Sequence, residues 1–118
     1  MDRVQKVQHM GKEILHIDYS GIVGEDKMID TLNAAEHVIL SDNKPHLQLV
    51  DISNAFATPG FMAAAKKFGD RTQHLTTKSA IIGITGVKVL LLKSYNLVSG
   101  EKLMPFKTLE EAKDYLAK

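Results

Sequence analysis

Residues 46–62, HLQLVDISNAFATPGFM, hold the step from which the rest of the chain can be read. The stretch HLQLVDIS predicts a strand of about six residues. Thr58-Pro59 then predicts a helix start, with Thr at the N-cap and Pro at the first helical position. Phe61, Ala65, Phe68 and Leu75 fall on one face of that helix. A strand that passes through a short loop into a helix is the first half of a crossover. It points to parallel pairing with the next strand.

The flanking segments extend the same pattern. VQKVQHMGKEILHIDYSG predicts two strands joined by a tight turn at Gly11-Lys12, with Gly at the first turn position. The second strand alternates Leu15, Ile17 and Tyr19 against His16 and Asp18, and the more polar first strand reads as an edge. GEDKMIDTLNAAEHVILSDN predicts a helix with Met28, Leu32, Ala35 and Ile39 on one stripe and acidic residues in its first turn. SAIIGIT, nearly continuous in apolar residues, predicts an interior strand of a parallel sheet. VKVLLLKSYNLVSG predicts a third helix ended by Gly100. Val87, Leu90, Leu91, Ser94, Leu97 and Val98 form its expected core stripe, with Val89, Leu92 and Tyr95 partly off it. KLMPF predicts a short last strand, where Pro105 demands an edge or a strand end. TLEEAKDYLAK closes the chain as a helix with capping-box spacing between Thr108 and Glu111.

The order ββαβαβαβα predicts a single α/β domain over residues 1–118, with a mixed, mostly parallel sheet and right-handed crossovers. If successive strands are neighbours, the helices lie mainly on one face and the other stays partly open. Gln48 and Ser79 suit such an open face.

Composition removes several classes of function. Lys and Arg number 15 against 14 Asp and Glu, a net charge of +1 that carries no footprint for nucleic acid. The absence of Cys excludes disulfides and thiol chemistry. The polar N-terminus lacks a signal core, and VLLL at 89–92 is too short to span a bilayer, so a cytoplasmic location is expected.

Chemistry-bearing residues are sparse. Asp51, Ser53 and Asn54 fall at a strand end, and Ser20, Thr85 and Gly86 end the neighbouring strands. All six would meet at the rim where open α/β sheets bind ligands. Thr58 is a cap whose helix N-terminus also favours an anion. As a cap alone, it should tolerate replacement by Ser or Asp. His9 and His16 approach one another if the hairpin places them side by side, but no third ligand is evident and no metal or cofactor is expected. Glu110, Glu111 and Asp114 read as a solvated helix face. Neither a nucleophile elbow nor a dinucleotide fingerprint occurs.

The segments GKEILHIDYSG, LVDIS, FATPGFM, SAIIGITG, YNLVSG and PFKTLEEAKDYL together resemble the SpoIIAA-like (STAS/SEC14-like) domain family, related to bacterial anti-sigma factor antagonists of STAS type. In antagonist STAS domains a strand ending in Asp-Leu-Ser leads to Asp-Ser-Ser-Gly, whose first Ser is phosphorylated by a partner kinase. By that resemblance Asp51, Ile52 and Ser53 match the strand end, and Thr58 stands at the phospho-acceptor position before Gly60. Ala57 replaces the Asp and Pro59 the second Ser, so most of the kinase-recognised motif is gone. The resemblance implies a non-enzymatic regulatory module with a protein partner at the Ser53–Gly60 loop and the following helix. The alternative is a small apolar ligand or lipid bound near the third helix. Leu91, Leu92 and Tyr95 are the candidates for that pocket, or for the face of a homodimer.

Overall fold

The computed structural model describes residues 2–86, 88–98 and 103–118. Five strands form one sheet in the order β1 (Val4–His9), β2 (Lys12–Asp18), β3 (His46–Asp51), β4 (Thr76–Ile82) and β5 (Leu103–Phe106). β1 pairs antiparallel with β2, and every other pairing is parallel. The connecting helices are α1 (Glu25–Asp42), α2 (Pro59–Thr72) and α3 (Lys88–Val98), and α4 (Leu109–Ala117) ends the chain. Pro105 sits in β5, an edge strand, where its missing N–H costs no ladder bond.

The hairpin turn lies one residue earlier than the sequence suggests. Met10 and Gly11 both have positive φ, 51° and 77°, and His9 pairs with Lys12. Two positive-φ residues match the right-handed twist of the flanking strands, and Gly11 adopts its φ without a Cβ penalty.

Side-chain alternation divides the core into two layers. Leu15, Ile17, Val50 and Ile81 face α1, α2 and α3, where they meet Met28, Leu32, Ala35, Phe61 and Phe68. Ile14, Leu49, Ala80 and Ile82 face the opposite way, onto Ala112 and Leu116 of α4. α4 alone covers the middle of the second face, while Val7, Leu47 and Phe106 are half-buried and Gln5 and Met104 exposed, so that face stays partly open as expected. α4 follows the last strand and makes no crossover, so nothing holds it to the face of the other three helices. Gln48 shares parity with Val50, and Ser79 with Ile81. Both are buried side by side on the three-helix face instead of lining an open one.

α3 also differs from expectation. Leu92 and Tyr95 are its buried residues, whereas Leu90 and Leu97 are 67% and 85% exposed. Two polar anchors account for this rotation. Lys88 Nζ donates to the Ile52 carbonyl at 2.9 Å, and the Asn96 side chain exchanges hydrogen bonds with the Leu103 backbone at 3.1 and 3.2 Å. A helix this rich in Leu presents two apolar frames, and these backbone partners select one. The expected stop at Gly100, and Val87 of the expected stripe, lie outside the described residues, as does the side chain of Val98.

Candidate functional site

At the carboxyl ends of β2 and β3, two similar turns are built from adjacent Asp residues. Asp18 Oδ1 accepts from the Ser20 N–H at 2.8 Å, and Asp51 Oδ1 accepts from the Ser53 N–H at 2.9 Å. Asx turns of this kind satisfy backbone donors where the ladder stops. The two loops are stitched together, because Tyr19 N–H donates to Asp51 O and Gly21 N–H to Ser53 O, at 2.8 and 2.9 Å. Gly83, with φ of 87°, passes so close to Ser53 that any Cβ there would strike the Ser53 backbone and side chain. Arg3 reaches in from the chain start and donates to the carbonyls of Asp18 and Ser20, at 3.2 and 2.9 Å. Partial burial works to raise the Asp18 carboxyl. The hydrogen bonds from Ser20, with the charges of His16 and Arg3, outweigh it and hold the group below the usual carboxylate range.

The turn after β3 delivers the chain to α2. Thr58 is the N-cap, its Oγ1 accepting from the Phe61 N–H at 3.1 Å, and Pro59 takes the first helical position. The hydroxyl also donates, to the carboxylate of Glu25 in the first turn of α1. That carboxylate lies directly over Gly60, where a Cβ would come within 2.8 Å of Oε2. α2 has no acidic residue in its own first turn. Glu25 supplies from a neighbouring helix the negative charge that a helix N-terminus favours. Arg71 and Glu36 hold the same two helices together further along, with a bidentate pair at 2.7 and 2.9 Å.

The structure thus brings Ser20, Asp51 and Ser53 together at the strand ends, while Thr58 and Gly60 form a second group around Glu25. Asn54, with φ of 57°, is exposed at the tip of the loop, and Thr85 and Gly86 are exposed on the loop after β4. Glu25 was legible only as a charge complementing its own helix; its contact with Thr58 spans 33 residues and has no local sequence signal. Phe56 was missed as well. It is 67% exposed between the buried Ala55 and Ala57, an alternation that the sequence does contain.

Beneath the rim, between the sheet and helices α2 and α3, lies an apolar cavity of about 70 Å³. Ile17, Val50, Phe61, Leu91, Leu92 and Tyr95 are among its walls. Leu92 and Tyr95 are buried within the chain and form no exposed face, while Leu91 is half-buried. The two hairpin histidines do not meet. His9 pairs with Lys12 and His16 with Gln5, and His16 Nε2 is buried with no hydrogen-bond partner among the described residues. His9 instead meets Asp114 of α4, at 2.8 Å.

An edge hairpin followed by parallel βα units in sequential order, with its conspicuous loop between β3 and α2, defines a SpoIIAA-like STAS fold. The chain is similar to a solved anti-sigma-factor antagonist (STAS) domain protein from Planctomyces limnophilus, with a TM-score of 0.57. The likeness covers 99% of this chain and 99% of that one at 13% sequence identity, so what the two share is the fold. No protein-family model and no curated protein matches the chain. Among the described residues no helix is long and apolar enough to cross a membrane.

Proposed function

We propose that the chain is a non-enzymatic regulatory or protein-interaction module of STAS type that docks a protein partner through the Ser53–Gly60 loop and α2. The observation that carries this reading is Phe56, an exposed aromatic on a loop held at both ends. Asp51 fixes one end of the loop, and the Thr58 cap fixes the other. A rigid, exposed aromatic is the side chain that anchors interfaces at low entropic cost. The polar groups serve the backbone itself: Asp51 and Thr58 accept from N–H groups at the two ends of this loop, and Asp18 from one in the turn after β2. That use of the carboxylates and the hydroxyl favours a scaffold over a reaction centre. The same reading assigns the chain to the cytoplasm. It includes a homodimer through the outer face of α3, where Leu90 and Leu97 are exposed. Co-purification from the native host tests the docking surface. A partner retained by the wild type should be lost from Phe56→Asp while the melting temperature holds. Equal recovery with both chains would contradict the assignment.

The cavity favours a second reading, a small apolar ligand. Its walls are of the right kind, but pockets that take drug-sized ligands run to roughly 300–1,000 Å³. At about 70 Å³ the space suits only a much smaller guest unless α3 shifts. Native mass spectrometry of the purified chain, with lipid extraction, separates the two readings.

A further inference from the structure

On the far side of the sheet from the Thr58 loop, the end of β1 meets α4. His9 is the last residue of β1 and is half-buried, its side chain 17% exposed. Glu110 and Asp114 lie four residues apart on α4 and so on one face of the helix. One ligand atom from each of the three side chains falls within 4.8 Å of the other two, and His9 Nε2 already stands 2.8 Å from Asp114 Oδ1. Like charges at this helical spacing repel. Among the described residues neither carboxylate has a Lys or Arg within ion-pair distance, and the imidazole, paired with Asp114, is the one basic group in the cluster. The arrangement is thus short of positive charge, and it holds a nitrogen donor beside two oxygen donors.

We propose that His9, Glu110 and Asp114 form a binding site for a divalent transition-metal cation, Zn²⁺ being the ion that the donor set fits best. Imidazole with carboxylate suits zinc, whereas magnesium and calcium prefer oxygen alone. Zinc takes such ligands at about 2.0–2.2 Å, which sets neighbouring ligand atoms about 3–3.5 Å apart. The His9–Asp114 edge is near that spacing, and the exposed Glu110 side chain closes the rest by rotation. On binding, the neutral imidazole gives its Nε2 lone pair to the ion, and its single proton, which now bridges His9 and Asp114, is exchanged through solvent for one on Nδ1. Three protein ligands leave the remaining positions to water. The ion would tie the edge hairpin to the C-terminal helix, elements 105 residues apart in sequence. Binding to the folded chain alone raises stability with the logarithm of free metal.

Isothermal titration with ZnCl₂, paired with thermal melts, tests this. The wild type should take up one equivalent with micromolar affinity, and its melting temperature should climb with zinc but not with MgCl₂. His9→Gln and the double variant Glu110→Gln/Asp114→Asn should each weaken binding at least tenfold, since loss of even an outer-shell partner of a ligand typically costs about 10–100-fold. Glu110→Gln alters an exposed side chain and should leave the metal-free fold intact, so its weaker binding reads the site directly. Absence of saturable uptake by the wild type overturns the proposal. Undiminished uptake by His9→Gln, which would place the ion on His16, His37, His46 or His74, overturns it equally.

Discussion

Thr58→Asp separates a simple helix cap from the three-way contact found here. Asp caps helices as well as Thr does, so the cap alone leaves stability almost unchanged. The structure predicts otherwise, because the new carboxylate would stand against that of Glu25 where the Thr58 hydroxyl now donates to it. Two like charges about 4 Å apart repel by about 4 kcal/mol at an effective dielectric of about 20. Both residues are half-buried, so solvent screening brings the expected loss down to about 1–3 kcal/mol. A double-mutant cycle isolates the effect. Urea unfolding followed by circular dichroism would be run on the wild type, Thr58→Asp, Glu25→Gln and the double variant. Thr58→Asp should destabilise the wild-type background by that amount. In the Glu25→Gln background it should be close to neutral, because one carboxylate then faces an amide. Thr58→Ser should be neutral in both backgrounds. Thr58→Ala should cost about 0.5–2 kcal/mol through loss of the cap. Equal effects of Thr58→Asp in the two backgrounds would refute the role given to Glu25.

Three further outcomes are expected. Gly60→Ala, which in an open helix stabilises by roughly 0.5–1 kcal/mol, should destabilise the wild type and become stabilising beside Glu25→Ala; unfolding midpoints read the change of sign. Leu92→Ala should cost about 2–5 kcal/mol and Leu97→Ala less than about 0.5 kcal/mol; the reverse ranking would mean that α3 is turned the other way. Asp18 titrates below its unfolded value, so its contribution is fully present above about pH 4 and lost as pH falls through the folded pKa. Unfolding measured from pH 6 to pH 2 should lose stability over that window, and Asp18→Asn should lose less.

What the sequence revealed depended on how local each cause was. The α1 stripe of Met28, Leu32, Ala35 and Ile39 is buried as its spacing predicts, because a period repeated through one helix fixes its inward face. The caps at Thr58 and Thr108 were readable for the same reason, since each closes within three residues. The rotation of α3 was not readable. A run of leucines satisfies either frame, and the choice rests partly on a bond from Lys88 to a carbonyl 36 residues away. The seat of α4 on the second face was not readable because the rule for crossovers governs helices between strands, and α4 lies after the last. At the rim, the loop residues were legible by their place at strand ends. Glu25 over Gly60, and His9 beside Glu110 and Asp114, arise only from the packing of distant elements.

Site-specific photo-crosslinking in the native host tests the docking proposal most directly. A photoreactive phenylalanine analogue would replace Phe56, exposed on the β3–α2 loop, and in a separate chain the exposed Asn33 of α1. The account predicts a discrete crosslinked protein from position 56, absent from position 33 and suppressed when unlabelled wild-type chain is present in excess. No adduct at position 56, or the same adduct from both positions, would contradict docking through the Ser53–Gly60 loop.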